Sequence, residues 1–291
     1  MVDTERFLAE VRALVRRLSP QIVAEWRSTE KRPRTKSDGS FVTETDHFVE
    51  RELIECMQRV APGVAVVAEE EVSGRIHAST QTASDYYNAV LQDEHLVVID
   101  PIDGTKNFVE GRPHFCIAVG LTARKASGHW PIAGVVGVPA QGLMFWSDGT
   151  QVVREALSSG AVESINRQSG ASATIFANSH EQRWLENKQK KLRGERHSYS
   201  ASVYDILVTA LGENFAALLG SQRVWDIVAP LAIALPLGLS ARDAETGEQI
   251  GSLCAADFSQ DIDRRAWRLN RKIVLLPHAN SLADALVNCG S

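Results

Sequence analysis

Residues 5 to 27 place apolar side chains at Phe7, Leu8, Val11, Leu14, Val15, Leu18, Ile22 and Val23. That three-and-four spacing predicts an amphipathic helix. Ser19-Pro20 predicts a kink or a restart within it, with Pro20 at a first helical position. The stretch KRPRTKSDGSFVTETD is polar and turn-rich and predicts a loop or hairpin. Residues 46 to 60 return to helical spacing through Phe48, Leu53, Ile54, Met57 and Val60. The pattern then changes to short apolar runs. VAVVAEEE (64–71) and LVVID (96–100) each end in acids. FCIAVGLTA (115–123), PIAGVVGVP (131–139) and GLMFWS (142–147) predict consecutive strands punctuated by Gly or Pro. The second half reads as strand (ATIFAN), helix (EQRWLENKQKKL), helix (VYDILVTALG), strand (NFAALLG), helix (WDIVAPLAIAL), strand (KIVLLP) and helix (SLADALV). This alternation lacks the regular period of a βα barrel and predicts a layered α/β fold. The polar, Ser/Gly-rich run from Gln151 to Ser172 marks a soft boundary, giving halves of 1–155 and 156–291.

Composition narrows the picture. A chain of 291 residues is long enough for one large domain or two closely joined ones. The formal charge is −5, from 31 basic and 36 acidic residues, which gives no support to nucleic-acid or membrane-surface binding. An anionic substrate stays possible, because bound divalent cations invert the local field. The opening MVDTERFLAEVRALVRR has no apolar run of the signal-peptide kind, and no segment approaches the roughly 18 apolar residues of a membrane span. Cys56, Cys116, Cys254 and Cys289 form no C-x-x-C pair, so a reducing cytoplasm is expected. The eight histidines show no metal-site spacing.

The chemistry concentrates in carboxylates that close apolar runs. Asp100-Pro101-Ile102-Asp103-Gly104-Thr105 follows LVVI directly. Two carboxylates at i and i+3 reach one pocket if the chain turns there. Pro101 helps fix such a turn, and Gly104 permits close backbone approach to a ligand. Short, charged oxygen donors suit hard cations such as Mg²⁺. Thr105 would stand at the start of the next segment, beside free N–H groups that a phosphate could use. An isolated D-x-x-D can equally be solvated turn acids or a helix cap. The same setting recurs, however, at Glu69-Glu70-Glu71 and at Asp46. It recurs again at Asp226, which follows Trp225 at the start of an apolar helix.

Together the blocks KSDGSFVTETD, VAEEE, VVIDPIDGTKNFVEGRPHF and RVWDIVAP resemble the inositol monophosphatase family of metal-dependent phosphatases. The likeness is good over roughly 36 to 140 and weak over 200 to 240. It implies an α-β-α-β-α sandwich, two or three Mg²⁺ per site, a small phosphorylated metabolite as substrate and a homodimer. Matched position by position, Glu69, Asp100 and the Ile102 carbonyl hold one metal; Asp100, Asp103 and Asp226 hold a second. Glu69 recurs at a weaker third site, and Glu70 is a supporting acid. Asp46 bonds the Thr105 hydroxyl, and Thr105 and Glu69 are placed to take a proton from water. Gly104 and Thr105 form the phosphate turn and Lys36 lies near it; Asp103 and Ser202 are further expected substrate-binding residues, although the family's Gly-Ser/Thr turn reads Ser200-Ala201-Ser202 here.

The second half departs from the pattern. The family's W-D-x-A-A-G reads Trp225-Asp226-Ile227-Val228-Ala229-Pro230 here, and Leu219 stands where inositol-selective members carry a Glu. Arg223 could meet a second anionic group, or be an ordinary surface arginine. Asn178-Ser179-His180 resembles a loop of relatives that handle 3′-phosphorylated nucleotides. Trp184, Trp225 and Trp267 read as core or rim aromatics. The expected activity is hydrolysis of a polyol, sugar or histidinol phosphate. The alternatives are a bisphosphate substrate (3′-phosphoadenosine 5′-phosphate or fructose 1,6-bisphosphate) and a regulatory protein that keeps the fold.

Overall fold

A computed structural model describes residues 2–29, 31, 33–36, 39–70, 82–167, 174–220, 222–261 and 266–288. Helices α1 (Thr4–Arg27) and α2 (Glu44–Val60) bury their apolar stripes on one face of a seven-stranded sheet. Its strands are β1 (Ala65–Ala68), β2 (His95–Asp103), β3 (Cys116–Lys125), β4 (Gly128–Val138), β5 (Leu143–Ser147), β6 (Val152–Ala156) and β7 (Val162–Ser164). They lie side by side in chain order. β1 and β2 are parallel and every later pair is antiparallel. Short helices α3 (Ala83–Val90) and α4 (Thr105–Val109) flank β2 in sequence.

A second sheet has five strands: β8 (Thr174–Phe176), β9 (Glu195–His197), β10 (Ala216–Leu219), β11 (Leu239–Asp243) and β12 (Ile273–Pro277). Their spatial order is β9-β8-β10-β12-β11. Helix α5 (Ser179–Asn187) covers its outer face, with Leu185 packed among Ile175, Leu218 and Leu276. Helices α6 (Ser202–Leu211) and α7 (Val224–Ala234) lie between the sheets. Ile227, Val228 and Leu231 meet Val98 of β2 on one side and Leu219 and Leu275 on the other. The layers are therefore α-β-α-β-α, as expected. Period-two burial assigns β2 to both its layers: Val97 and Ile99 face α1 and α2, Val98 faces α7. α7 presses close to β4, since a Cβ on Gly134 would come within 2.6 Å of the Ala229 carbonyl oxygen. That contact seats α7, and Asp226 in its first turn, against the first sheet.

Several local expectations need correction. Ser19-Pro20 does not restart α1, which runs continuously with Leu18 and Ile22 both buried. The Pro20 penalty is met by packing on both sides of it, and the Ser19 hydroxyl donates to the Val15 carbonyl at 2.6 Å. EQRWLENKQKKL is helical only to Asn187; Gln189 takes φ +53° and Lys190–Leu192 becomes a strand. SLADALV is a single 3-10 turn (Leu282–Asp284) followed by a strand, Leu286–Asn288, paired antiparallel with Lys190–Leu192. The Ser281 amide donates to Asp284 at 2.7 Å and caps that one turn, while burial of Leu286 favours the pairing. Of the polar run 151–172, residues 168–172 lie outside the described residues; β6 and β7 carry the first sheet on to Ser164. No helix among the described residues is long and apolar enough to cross a membrane.

Candidate metal and active site

The site forms where β2 ends. Asp100 pairs with Ala118 and Asp103 with Cys116, so three steps on β2 match two on β3. This bulge matters for the chemistry. In a regular strand, residues i and i+3 point to opposite faces; one extra residue turns them to the same face. Asp226 comes in from the first turn of α7, and carboxylate oxygens of Asp100, Asp103 and Asp226 all lie within 4.8 Å of one another. Asp100 and Asp103 are buried and Asp226 is half-buried.

Each carboxylate is held differently. Asp103 Oδ2 accepts the Tyr204 N–H at 3.2 Å, the second residue after Ser202, which opens α6. Asp226 Oδ2 accepts the Arg223 N–H at 2.6 Å, which caps α7. Asp100 Oδ1 is fully buried and accepts no hydrogen bond. Burial pushes all three pKa values up. The charges of Glu69, Asp103 and Asp226 add to the effect at Asp100, and that of Asp226 adds to it at Asp103. Asp226 is pushed to about 7, against the Arg223 hydrogen bond. A buried orphan oxygen within an all-oxygen, like-charged cluster is the donor set of a hard divalent cation. The residues fit Mg²⁺.

Around this trio stand the remaining expected residues. Glu69 and Glu70 follow β1 directly, and Lys36 Nζ donates to Glu69 Oε1 at 2.8 Å and to Glu70 Oε1. Burial would lower the Lys36 pKa, but the two carboxylates outweigh it and raise it. Burial, then the Glu69 charge, pushes Glu70 to about 8 despite Lys36. Glu71 lies outside the described residues. Thr105 Oγ1 lies 3.0 Å from Asp46 Oδ1 and 3.1 Å from the Ile102 carbonyl oxygen, two acceptors for one hydroxyl proton. Asp46 is fixed as N3 of a capping box by the Thr43 N–H at 2.9 Å, and burial pushes its pKa to about 6. Gly104 links the strand to α4 at φ +78°. A Cβ there would lie 2.8 Å from Ala201 Cβ and 2.9 Å from the His114 carbonyl oxygen. Gly104→Ala is therefore expected to cost about 1–3 kcal/mol of stability and to displace the Asp103-Thr105 turn; chemical denaturation and phosphate-release assays of the variant check both.

Not every candidate joins the cluster. Asn178 bonds the His180 and Glu181 amides at 2.8 and 3.2 Å; it caps α5, so the nucleotide-loop likeness at 178–180 has a structural explanation. Leu219 is fully buried in β10 and offers no acceptor to a sugar hydroxyl. Trp225 and Trp267 are core residues and Trp184 is partly buried. Arg223 is half-buried beside the cluster rather than on open surface.

Supporting residues were missed in the sequence. Glu50 accepts the Glu70 N–H at 2.7 Å and lies one helical turn beyond Asp46; two acids at i and i+4 on α2 were a readable signal. Fully buried Asn107 donates to the His114 and Tyr199 carbonyls at 2.7 and 2.9 Å, tying α4 to the segment before α6. Asp205 accepts the Tyr199 N–H at 2.9 Å and fixes the same segment.

Known proteins resemble this chain in sequence and in fold. An inositol monophosphatase of Mesembryanthemum crystallinum is 34% identical over 110 residues, 38% of this chain and 35% of its own length. A histidinol-phosphatase of Streptomyces coelicolor is 28% identical over 172 residues, 55% of this chain and 64% of its own. These matches thus span about a third to two thirds of the relatives' lengths. The solved inositol monophosphatase-II of Staphylococcus aureus superposes with a TM-score of 0.63 at 17% identity, covering 92% of this chain and 88% of that one. The Thermotoga maritima IMPase gives 0.62 at 18%, covering 93% and 92%. Residues 3–273 match the model of the inositol monophosphatase family, and the chain belongs to that family.

Proposed function

We propose that this chain hydrolyses a small phosphate monoester in a Mg²⁺-dependent reaction. The observation that carries the reading is the convergence of Asp100, Asp103 and Asp226 within 4.8 Å, around the unpartnered Asp100 oxygen. Glu69, Asp100 and the Ile102 carbonyl would hold one cation, and Asp100, Asp103 and Asp226 another, with Glu69 serving a weaker third. When bound, such ions neutralise phosphate charge and lower the pKa of water.

The protein's own groups do the rest. The Gly104-Thr105 turn would receive the phosphate, with Lys36 close by. Asp46 orients the Thr105 hydroxyl from one side. Thr105 and Glu69 would take the proton of the attacking water, and Asp46, with its pKa about 6, would be the receiving end of the Thr105 arm. On that reading Thr105→Ala is expected to lower kcat by about 10²-fold or more, with little change in Mg²⁺ affinity; steady-state kinetics over a Mg²⁺ titration separates the two. The reading includes a homodimer, as the family resemblance implies, in a reducing cytoplasm, as the scattered cysteines suggest.

The test is phosphate release from inositol 1-phosphate, histidinol phosphate, fructose 1,6-bisphosphate and 3′-phosphoadenosine 5′-phosphate. Turnover of at least one, only with Mg²⁺, is expected. Release from none at saturating Mg²⁺ would turn attention to a regulatory role.

A further inference from the structure

Trp267 is fully buried yet takes φ +58°, the left-handed region that bulky side chains avoid. Its surroundings enforce that conformation. The Trp267 N–H donates to the Tyr87 hydroxyl at 3.0 Å, and that hydroxyl donates onward to the Ser259 carbonyl at 2.8 Å. The Trp267 indole N–H donates to the Tyr86 hydroxyl at 3.2 Å. The rings of Tyr87 and Phe258 meet the indole edge to face, with centroids 4.8 and 5.1 Å away. A backbone kept off its preferred conformation persists only where packing over-determines it, and such residues gather at functional sites. What this one holds is a carbonyl. The Trp267 carbonyl accepts the Val224 N–H at 2.9 Å, and Val224 is the first residue of α7. That N–H has no acceptor within its own helix. Two residues on, the Leu269 N–H donates to the Gln222 carbonyl at 3.0 Å, so 267–269 grips the chain on both sides of Arg223. Arg223 is the N-cap of α7, and its N–H is the one that Asp226 Oδ2 accepts. A continuous path thus runs from Tyr87 on α3, through the Trp267 backbone and the start of α7, to a member of the carboxylate cluster.

We propose that Trp267, locked in its left-handed conformation by Tyr87, is a positioning residue for the cation site. It sets the first turn of α7, and through it Asp226, at the distance from Asp100 and Asp103 that a shared cation needs. The proposal rests on the phosphatase reading above and adds to it the support of that same site. A residue that only fills the core would change stability alone. One that places Asp226 changes the affinity for Mg²⁺ as well.

The test is a calorimetric Mg²⁺ titration without substrate, beside melting curves in a chelator. The proteins are wild type, Tyr87→Phe, Trp267→Phe and Phe7→Leu. Tyr87→Phe keeps the ring and removes the hydroxyl, which leaves the Trp267 N–H and the Ser259 carbonyl unpaired. Trp267→Phe removes the indole bond to Tyr86 and part of the packing. Phe7→Leu trims a fully buried ring of α1 in the layer on the other side of the first sheet, and is the control. Tyr87→Phe and Trp267→Phe are each expected to weaken Mg²⁺ binding about tenfold. Phe7→Leu is expected to lower the melting temperature by a similar amount with Mg²⁺ affinity unchanged. Should one of the two box variants fail to fold, the other decides. Weakening below threefold in every folded box variant, or equal weakening in Phe7→Leu, would overturn the positioning role and leave the phosphatase reading intact. No Mg²⁺ binding by wild type would overturn that reading, and the positioning role with it.

Discussion

Asp103→Asn is expected to lower Mg²⁺-dependent phosphate release by about 10³-fold or more while making the metal-free protein more stable. The two effects have one cause. Asp103 is buried against Asp100 and Asp226, and burial followed by the Asp226 charge pushes its pKa well up. Without a cation that carboxylate is a liability; with one it is a ligand. Asparagine keeps the shape, and its carbonyl oxygen can still accept the Tyr204 N–H. What it loses is the negative charge. A loss of about 10³ in rate corresponds to roughly 4 kcal/mol of transition-state stabilisation. Phosphate release at saturating Mg²⁺ and thermal melting in a chelator measure the two sides. Lost turnover together with a lower melting temperature would mark Asp103 as structural only, and unchanged turnover would remove it from the site.

Metal removal is expected to make stability fall as pH rises, with the melting temperature dropping on the order of 5 °C or more between pH 5 and pH 8. The sign follows from the buried acids. Unfolded carboxylates titrate near 4. In the fold, burial pushes Asp46 to about 6, Asp226 to about 7 and Glu70 to about 8. Between those limits the folded chain holds more protons than the unfolded chain, so stability declines as pH climbs through the folded values. Asp148, lowered to about 2 by hydrogen bonds from Gln151 and Thr150 that outweigh burial, has the opposite sign, but its window closes below the range in question. Mg²⁺ competes with protons for Asp226 and the carboxylates clustered with it, and should therefore stabilise more at pH 8 than at pH 5. Melting curves with Mg²⁺ or chelator at both pH values check this; equal stabilisation at the two would mean that Mg²⁺ binds elsewhere.

Much of the layered fold was legible because the hydrophobic period switches cleanly. The three-and-four spacing of α1 and α2 and the short runs of β1 to β5 need only local chemistry to be read. The failures were non-local. SLADALV has helical composition, yet its second part pairs with Lys190–Leu192, almost a hundred residues earlier in the chain. Pro20 suggested a kink or a restart, and buried neighbours on both sides overrule the restart.

In the site, the acids at Asp100 and Asp103 were visible as types but not as a shared face. The bulge that aligns them is a property of the pairing of β2 with β3. Asp226 had two readings, a cap and a ligand; it caps α7 and stands in the cluster as well. The seat of Trp267 against the start of α7 could not be read at all, since it depends on two segments more than forty residues apart meeting edge to edge.

The most direct test is a Mg²⁺ titration of wild type and Asp226→Asn, following bound metal by calorimetry and phosphate release on the same samples. Asp226 is the acid that the second half of the chain contributes to the trio. Expected are binding and turnover that saturate together in wild type, and weakened binding with turnover nearly abolished in the variant. Turnover that needs no Mg²⁺, or metal binding unchanged by Asp226→Asn, would contradict a cation site assembled from both halves.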